Sequence, residues 1–169
     1  MDLEAMQLGE TSGLEQFDGR RENRDVASAL ISQAKHKISL FTPNLENPVY
    51  DNQDVMSAIR KLASSHRHVR IRILVKDATA AVKTGHRLIE TARHFSTSIQ
   101  IHKTPKDTEN IDTAYLLIDD AGYLYKHHGE LFQGQFNFND KFRVRELSKV
   151  FDEAWDRSSP DPELRRLYI

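Results

Sequence analysis

The chain contains no cysteine, which removes disulfide frameworks, thiolate zinc sites, iron–sulfur clusters and cysteine nucleophiles and leaves oxygen and imidazole chemistry. It has no surplus of either charge. Its 24 Lys and Arg face 25 Asp and Glu, a formal charge of −1, so no global field draws it to nucleic acid or a membrane. No apolar run approaches the roughly 18 residues that span a bilayer. The opening MDLEAMQLGETSGLEQFDG is acidic and lacks a signal-peptide core. The expectation is a cytoplasmic protein without membrane contact. Neither a repeat nor a low-complexity tract is found.

What is present can build a core. With 169 residues, 38% of them hydrophobic, the chain reads as one domain, burying roughly 70% of its unfolded surface. Residues 1–22, with Gly9, Gly13 and Gly19 and no sustained period, read as an extended lead-in, and residues 23–169 as the domain. Val26, Leu30 and Ala34 at i, i+4 and i+8 predict a helix from about Asn23. Ile38 to Phe41 follows as a short buried strand, stopped by Thr42-Pro43. Asp54 is the expected N-cap of a helix presenting Val55, Ile59 and Leu62.

Val69 to Val75 alternates as a strand does. A helix from about Ala80 to Phe95 and a strand from Ser98 to His102 come next. Ala114–Asp119 and Tyr123–Lys126 flank Asp120-Ala121-Gly122 as a hairpin, Phe132–Phe138 offers a third strand, and Asp140 caps a last helix. The implied architecture is α/β, a mixed and mostly parallel sheet with an antiparallel hairpin, flanked by helices.

That element order, with Asp119-Asp120 closing a late strand, resembles one half of the phospholipase D fold. The family's late strand carries His-x-Lys-x-x-x-x-Asp. Laid on this sequence, the motif puts Thr113 at the nucleophilic histidine, Tyr115 at the lysine and Asp120 at the aspartate, so one of its three residues survives. Phe136-Asn137-Phe138-Asn139 falls where the family has Gly-Ser-x-Asn-Phe. Most of the chain from Arg24 also resembles a bacterial domain of unknown function with this degenerate architecture. That similarity runs through Leu40-Phe41-Thr42-Pro43-Asn44-Leu45, Val69–Asp77, Gly85-His86-Arg87-Leu88-Ile89, Phe151-Asp152-Glu153-Ala154-Trp155 and Asp161–Leu167. The resemblance implies a homodimer, since half-folds of this type complete their cleft with a second copy. Some relatives are joined to acetyltransferase domains, which makes an acetyltransferase an expected protein partner, although no acetyl-CoA loop opening a helix is visible here.

Phosphodiester hydrolysis by that family needs an imidazole to attack phosphorus, a second to protonate the leaving oxygen, and lysines to hold the phosphate charge. Threonine and tyrosine do not supply this set. The expected activity is therefore a non-catalytic ligand-binding or protein-interaction module, with the cleft near Asp120, Asn137 and Asn139 as the first binding candidate and His86 with Arg87 as the second. The rival is an enzyme with a substituted set, in which His127 or His128 reaches Asp120 as acid or base. His66-Arg67-His68 and His127-His128 each supply part of a metal set but no third ligand at a recognisable spacing, so neither a metal nor a cofactor is expected. Arg70, Arg72, Lys76, Lys83, Arg87 and Arg93 leave nucleic-acid binding open as a local property.

Overall fold

The computed structural model describes residues 1–165. Arg166 and Leu167, part of the C-terminal resemblance, lie outside them. Eight strands form one sheet in the order β1-β7-β6-β5-β2-β3-β4-β8. The middle of the sheet is β2 (Lys37–Thr42), β3 (Arg70–Val75) and β4 (Ile99–Lys103). These three pair parallel. The hairpin β5 (Ala114–Ile118) and β6 (Gly122–Lys126) joins β2 antiparallel, and β7 (Gln133–Asn137) extends it. The sheet is mixed as expected, but parallel pairing is confined to β2–β3–β4. The remaining strands join antiparallel, β6 and β7 through the short connections that such pairing allows.

Two of those antiparallel strands come from segments with no strand pattern. Residues 15–18 of the lead-in form β1, an edge strand beside β7. The other is β8 (Ser159–Pro160), which pairs with the end of β4. Only Phe17 of β1 is buried, too little apolar content to show a period of two. A proline is tolerated in β8 because it lies on an edge.

Period-two alternation sorts the strands onto two faces. Ile38, Leu40, Ile71, Ile73, Leu116 and Ile118 pack toward α1 (Arg20–Ser32), α3 (Gln53–Ala63) and α5 (Arg87–His94), joined there by the short α2 (Asn47–Tyr50). Phe41, Leu74, Tyr115, Leu117 and Tyr123 pack under Val144, Leu147, Phe151 and Ala154 of α6 (Lys141–Arg157). Asp140 caps α6 as expected, its Oδ1 accepting the Arg143 N–H at 3.0 Å. The expected cap Asp54 lies inside α3, and Asn52 performs that role by accepting the Val55 N–H.

The helix expected from Ala80 to Phe95 is broken. α4 (Thr79–Thr84) ends at Gly85, whose φ of 71° is left-handed, and α5 starts anew after His86. Glycine adopts that conformation without a Cβ penalty, which ends a helix where apolar periodicity alone would continue it. α7 (Pro162–Arg165) closes the described chain. Among the described residues, no helix is long and apolar enough to cross a membrane.

Candidate functional site

In an open sheet with parallel members, ligands are most often taken at the carboxyl ends of the parallel strands. Here that end is built by Thr42 at the close of β2, the turn Asn44–Glu46, the start of α4, and Lys126 at the close of β6. The turn is strained, with Leu45 at φ 68° and Glu46 at φ 36°. Neither residue is one that usually occupies the left-handed region, and such strain persists only where neighbours over-determine it. The neighbours do so here. Asn44 Oδ1 accepts the Glu46 N–H at 2.9 Å, Thr42 Oγ1 accepts the Leu45 N–H at 3.2 Å, and the Thr42 hydroxyl donates to Glu46 Oε2 at 2.8 Å.

His86 fixes the same turn from the other side. Its ring is buried, Nε2 lies 3.0 Å from the Leu45 carbonyl oxygen, and Nδ1 accepts the Leu88 N–H at 3.1 Å. A carbonyl only accepts and an amide only donates, so these partners assign the neutral tautomer with the proton on Nε2. Burial pushes the His86 pKa below the usual histidine value, against the Leu45 hydrogen bond and the Asp51 charge.

Strain, tautomer and hydrogen bonds all serve to place the Glu46 carboxylate over the sheet, where it meets Lys126. The Lys126 ammonium donates to Glu46 Oε1 and to the Gly129 carbonyl, the latter at 2.9 Å. Both side chains are almost fully enclosed, 2% and 6% exposed. The ammonium also lies 5.4 Å from the centre of the Phe132 ring, a favourable position for a desolvated cation. Tyr50 is buried beside this pair, and burial together with the Glu46 charge raises its pKa. Above the ion pair is a small cleft of about 270 Å³, bordered by Asn44, Asn47, Thr84, Glu130 and Phe132.

The residues laid on the phospholipase D motif do not converge there. Thr113 precedes β5 and Asp120 follows it, so the five-residue strand separates them by about 17 Å at roughly 3.3 Å per residue. Tyr115 points under α6, stacked 5.3 Å from Phe41, and its buried hydroxyl has no hydrogen-bond partner. Burial raises the pKa of that phenol, with smaller contributions from Tyr125 and Asp152. Asp120 sits in the β5–β6 turn, largely exposed and paired with Lys37 Nζ at 2.7 Å.

His127 and His128 are exposed just beyond β6, with the His127 ring edge-on to Tyr125. The register Ala114↔Lys126 and Ile118↔Gly122 puts them at the opposite end of the hairpin from Asp120. The acid–base pairing of these imidazoles with Asp120 is therefore not formed.

The other binding candidates have structural partners. Asn137 Oδ1 accepts the Gly13 and Asn139 N–H groups, and Asn139 Nδ2 donates to Ser12 Oγ at 3.0 Å, so both asparagines fasten the lead-in. Arg87 pairs with Asp51 at 3.6 Å. The basic residues read together in the sequence are dispersed. Arg72 pairs with Asp152 at 2.7 Å and lies over the Phe151 and Trp155 rings, while Arg93 bonds Glu90. Among the described residues, no group of three or more His, Asp or Glu side chains is arranged to hold a metal.

Sequence reasoning overlooked Glu46 and Lys126. Glu46 lay in a polar loop and Lys126 at a strand terminus, both ordinary places for charge. A lysine within an otherwise apolar hairpin strand was the available signal.

No curated protein matches the chain in sequence. Solved structures share its fold. An archaeal chromatin protein, TrmBL2, whose structure shows a novel mode of DNA binding, is similar over 90% of this chain with a TM-score of 0.65 and 15% identity. The chain spans 55% of that protein's length. A phospholipase D family member, Nuc from Salmonella typhimurium, is similar over 89% of this chain and 98% of its own, with a TM-score of 0.62 and 12% identity. NucT from Helicobacter pylori has a TM-score of 0.60 and 11% identity over 89% of this chain and 99% of its own. The fold is thus phospholipase D-like. A family model matches residues 19–167, and by that match the chain belongs to the family described as a domain of unknown function, DUF7931.

Proposed function

We propose that this domain is a phospholipase D-like binding module that does not hydrolyse phosphodiesters. The observation that carries this reading is the enclosed ammonium of Lys126, already ion-paired with Glu46. A phosphoryl-transfer site needs cations free to take up charge on the phosphate oxygens. Here the enclosed cation at the strand ends already holds a carboxylate and a carbonyl. The surrounding groups supply no nucleophile beside a base, since His86 is engaged at both nitrogens and the Tyr115 hydroxyl is sealed under α6.

The homodimer implied by the resemblance is part of the proposal. Phe142 and Val150, on the one long helix over its face of the sheet, are 71% and 52% exposed. Light scattering coupled to size-exclusion chromatography tests it, and a monomer mass at micromolar concentration would remove that part.

The catalytic half of the proposal is tested with bis(p-nitrophenyl) phosphate and with labelled single-stranded DNA. The expected result is no product above the buffer rate. Nitrophenolate release or strand cleavage that disappears in the His127→Ala/His128→Ala double variant would sink the non-catalytic reading in favour of the substituted enzyme.

A further inference from the structure

The opposite end of the sheet, where β2 and β3 begin, carries a charge surplus that the chain-wide balance hides. From Val55 to Lys76 the sequence has no Asp or Glu, yet it holds Arg60, Lys61, Arg67, Arg70, Arg72 and Lys76. Arg72 and Lys76 are engaged, by Asp152 and by the Ile111 carbonyl. Lys61, Arg67 and Arg70 are exposed and form no ion pair among the described residues. Lys35 joins them from the turn before β2, since Lys35, His36, Lys61 and His66 line one open groove of about 1010 Å³.

The two basic turns are fastened together. His66 Nε2 lies 2.9 Å from the Lys35 carbonyl oxygen, and His66 Nδ1 accepts the His68 N–H at 3.3 Å. The Arg70 N–H donates to the His36 carbonyl at 3.1 Å. The same groove contains Glu10 and Asp119. Asp119 is committed to the backbone N–H groups of Lys35, His36 and Lys37; the groove itself balances Lys35 and Lys61 against Glu10 and Asp119, and Arg67 and Arg70, beside it, bring the edge to four cations against two carboxylates. Imidazole rings line the same edge, His36 5.8 Å and His68 6.3 Å from His66.

We infer that this end of the sheet is a binding surface for single-stranded nucleic acid, with Lys35, Lys61, Arg67 and Arg70 contacting the phosphate backbone and His36 and His68 offering faces to the bases. A row of exposed cations with flat rings between them, along the rim of a groove, is an arrangement that tracks an unpaired strand. A lipid surface fits less well, because membrane docking of a basic patch draws on apolar side chains beside it. The apolar side chains that line the groove, Leu8, Ala34, Ala58, Leu62 and Ala121, are buried or half-buried, and the exposed large hydrophobics Met1, Leu14, Ile111, Leu131, Phe142 and Val150 lie outside it. The surface lies away from the Lys126–Glu46 cleft, so the inference stands apart from the catalytic question.

Fluorescence anisotropy with a fluorescein-labelled single-stranded 20-mer tests it on the full chain. At 50 mM salt the expected result is saturable binding, with a log–log salt slope of about −2 to −3 for three to four phosphate contacts at −0.7 each. The Lys61→Gln/Arg67→Gln variant, altered at exposed positions and checked for an unchanged thermal melt, is expected to bind at least tenfold more weakly and with a shallower slope. No binding at low salt overturns the inference, as does a double variant that binds like the parent. Equal or tighter binding to a duplex of the same sequence overturns the single-strand assignment. Binding to phosphatidylserine vesicles without binding to DNA overturns the choice of nucleic acid.

Discussion

The ammonium of Lys126 and the carboxylate of Glu46 meet inside the protein, 80 residues apart in the chain, at the end of the sheet where related architectures take ligands. The pair is closed by Thr42, the Gly129 carbonyl and the Phe132 ring. This relationship turns a strand end open to chemistry into an enclosed, charge-paired plug. It also ties the β2–α2 turn to the β5–β6 hairpin, two parts of the chain that no local interaction joins.

Breaking one member of the pair is expected to be costly. Lys126→Met leaves Glu46 as an uncompensated buried carboxylate, and removing one partner of such a pair costs about 3–5 kcal/mol. Glu46→Gln/Lys126→Met removes both charges while keeping an acceptor for the Thr42 hydroxyl, and is expected to recover most of that loss. Urea unfolding of the two single variants and the double gives the coupling directly. Additive costs across the cycle would mean that the pair is not a unit.

Stability is expected to fall as the solution is acidified through the histidine range, in part because of His86. Burial lowers its folded-state pKa, so between the unfolded value near 6.5 and the lower folded value the unfolded chain binds a proton that the native state refuses. The unfolded state then holds more protons, and stability decreases as pH falls across that window. The full contribution is present above the unfolded value. His102, stacked 3.9 Å from Trp155, is lowered by burial too and acts in the same direction. His86→Asn keeps a capping acceptor but cannot titrate. It is expected to flatten the pH dependence of the urea midpoint below about pH 6.5, and an unchanged slope would show that His86 does not contribute.

Much of this fold was legible because apolar alternation reports which face of a strand is buried. Ile38, Leu40 and Phe41, or Leu116, Leu117 and Ile118, declare both faces of the sheet in a few residues. Asp140 before an amphipathic run likewise announced α6. β1 was not legible because its stability comes from hydrogen bonds to β7 and not from its own side chains, Phe17 excepted. The break at Gly85 was hidden because Val82, Leu88 and Ile89 remain apolar on either side of it. The site was the least legible part. The motif register led to Thr113 and Asp120, which a strand of five residues holds apart, whereas Glu46 and Lys126 become neighbours only once β2 and β6 lie in one sheet on either side of β5.

Tyr115 carries a hydroxyl that does no bonding work. It is buried between Phe41 and Phe151 and has no partner, and an unsatisfied buried polar group costs about 1–3 kcal/mol. Tyr115→Phe is therefore expected to leave stability unchanged or raise it by up to about 1 kcal/mol, once the lost packing of one oxygen is allowed for. The phospholipase D-type residue at that position is expected to do the reverse. Tyr115→Lys places an ammonium under α6, where the nearest carboxylate, Asp152, is already paired with Arg72, and the folded protein should be severely destabilised. A thermal melt of each variant checks both directions. A well-folded Tyr115→Lys protein would show that this face opens to water.

Asp119 is the residue of the Asp119-Asp120 pair on which the fold depends. Its carboxylate accepts the Lys35 N–H at 2.6 Å and the His36 and Lys37 N–H groups at 2.8 Å each, from a left-handed position at φ 55°. Two of these donors, on Lys35 and His36, precede β2 and have no strand opposite them, while Lys37 opens β2. Hydrogen bonds to a charged acceptor contribute about 1.5–3 kcal/mol each at most, and water recovers part of that at an exposed turn, so Asp119→Ala is expected to cost about 2–4 kcal/mol. Asp119→Asn keeps one carbonyl oxygen and tolerates the left-handed backbone, and should lose less than half as much. Asp120→Ala removes only an exposed ion pair with Lys37, within about 1 kcal/mol of neutral. If the ranking were reversed, with Asp120→Ala the more damaging, the motif position would matter to this fold in a way that its exposed ion pair does not explain. Urea midpoints of the three variants settle the order, and amide hydrogen exchange at Lys35, His36 and Lys37 reports the lost bonds one residue at a time.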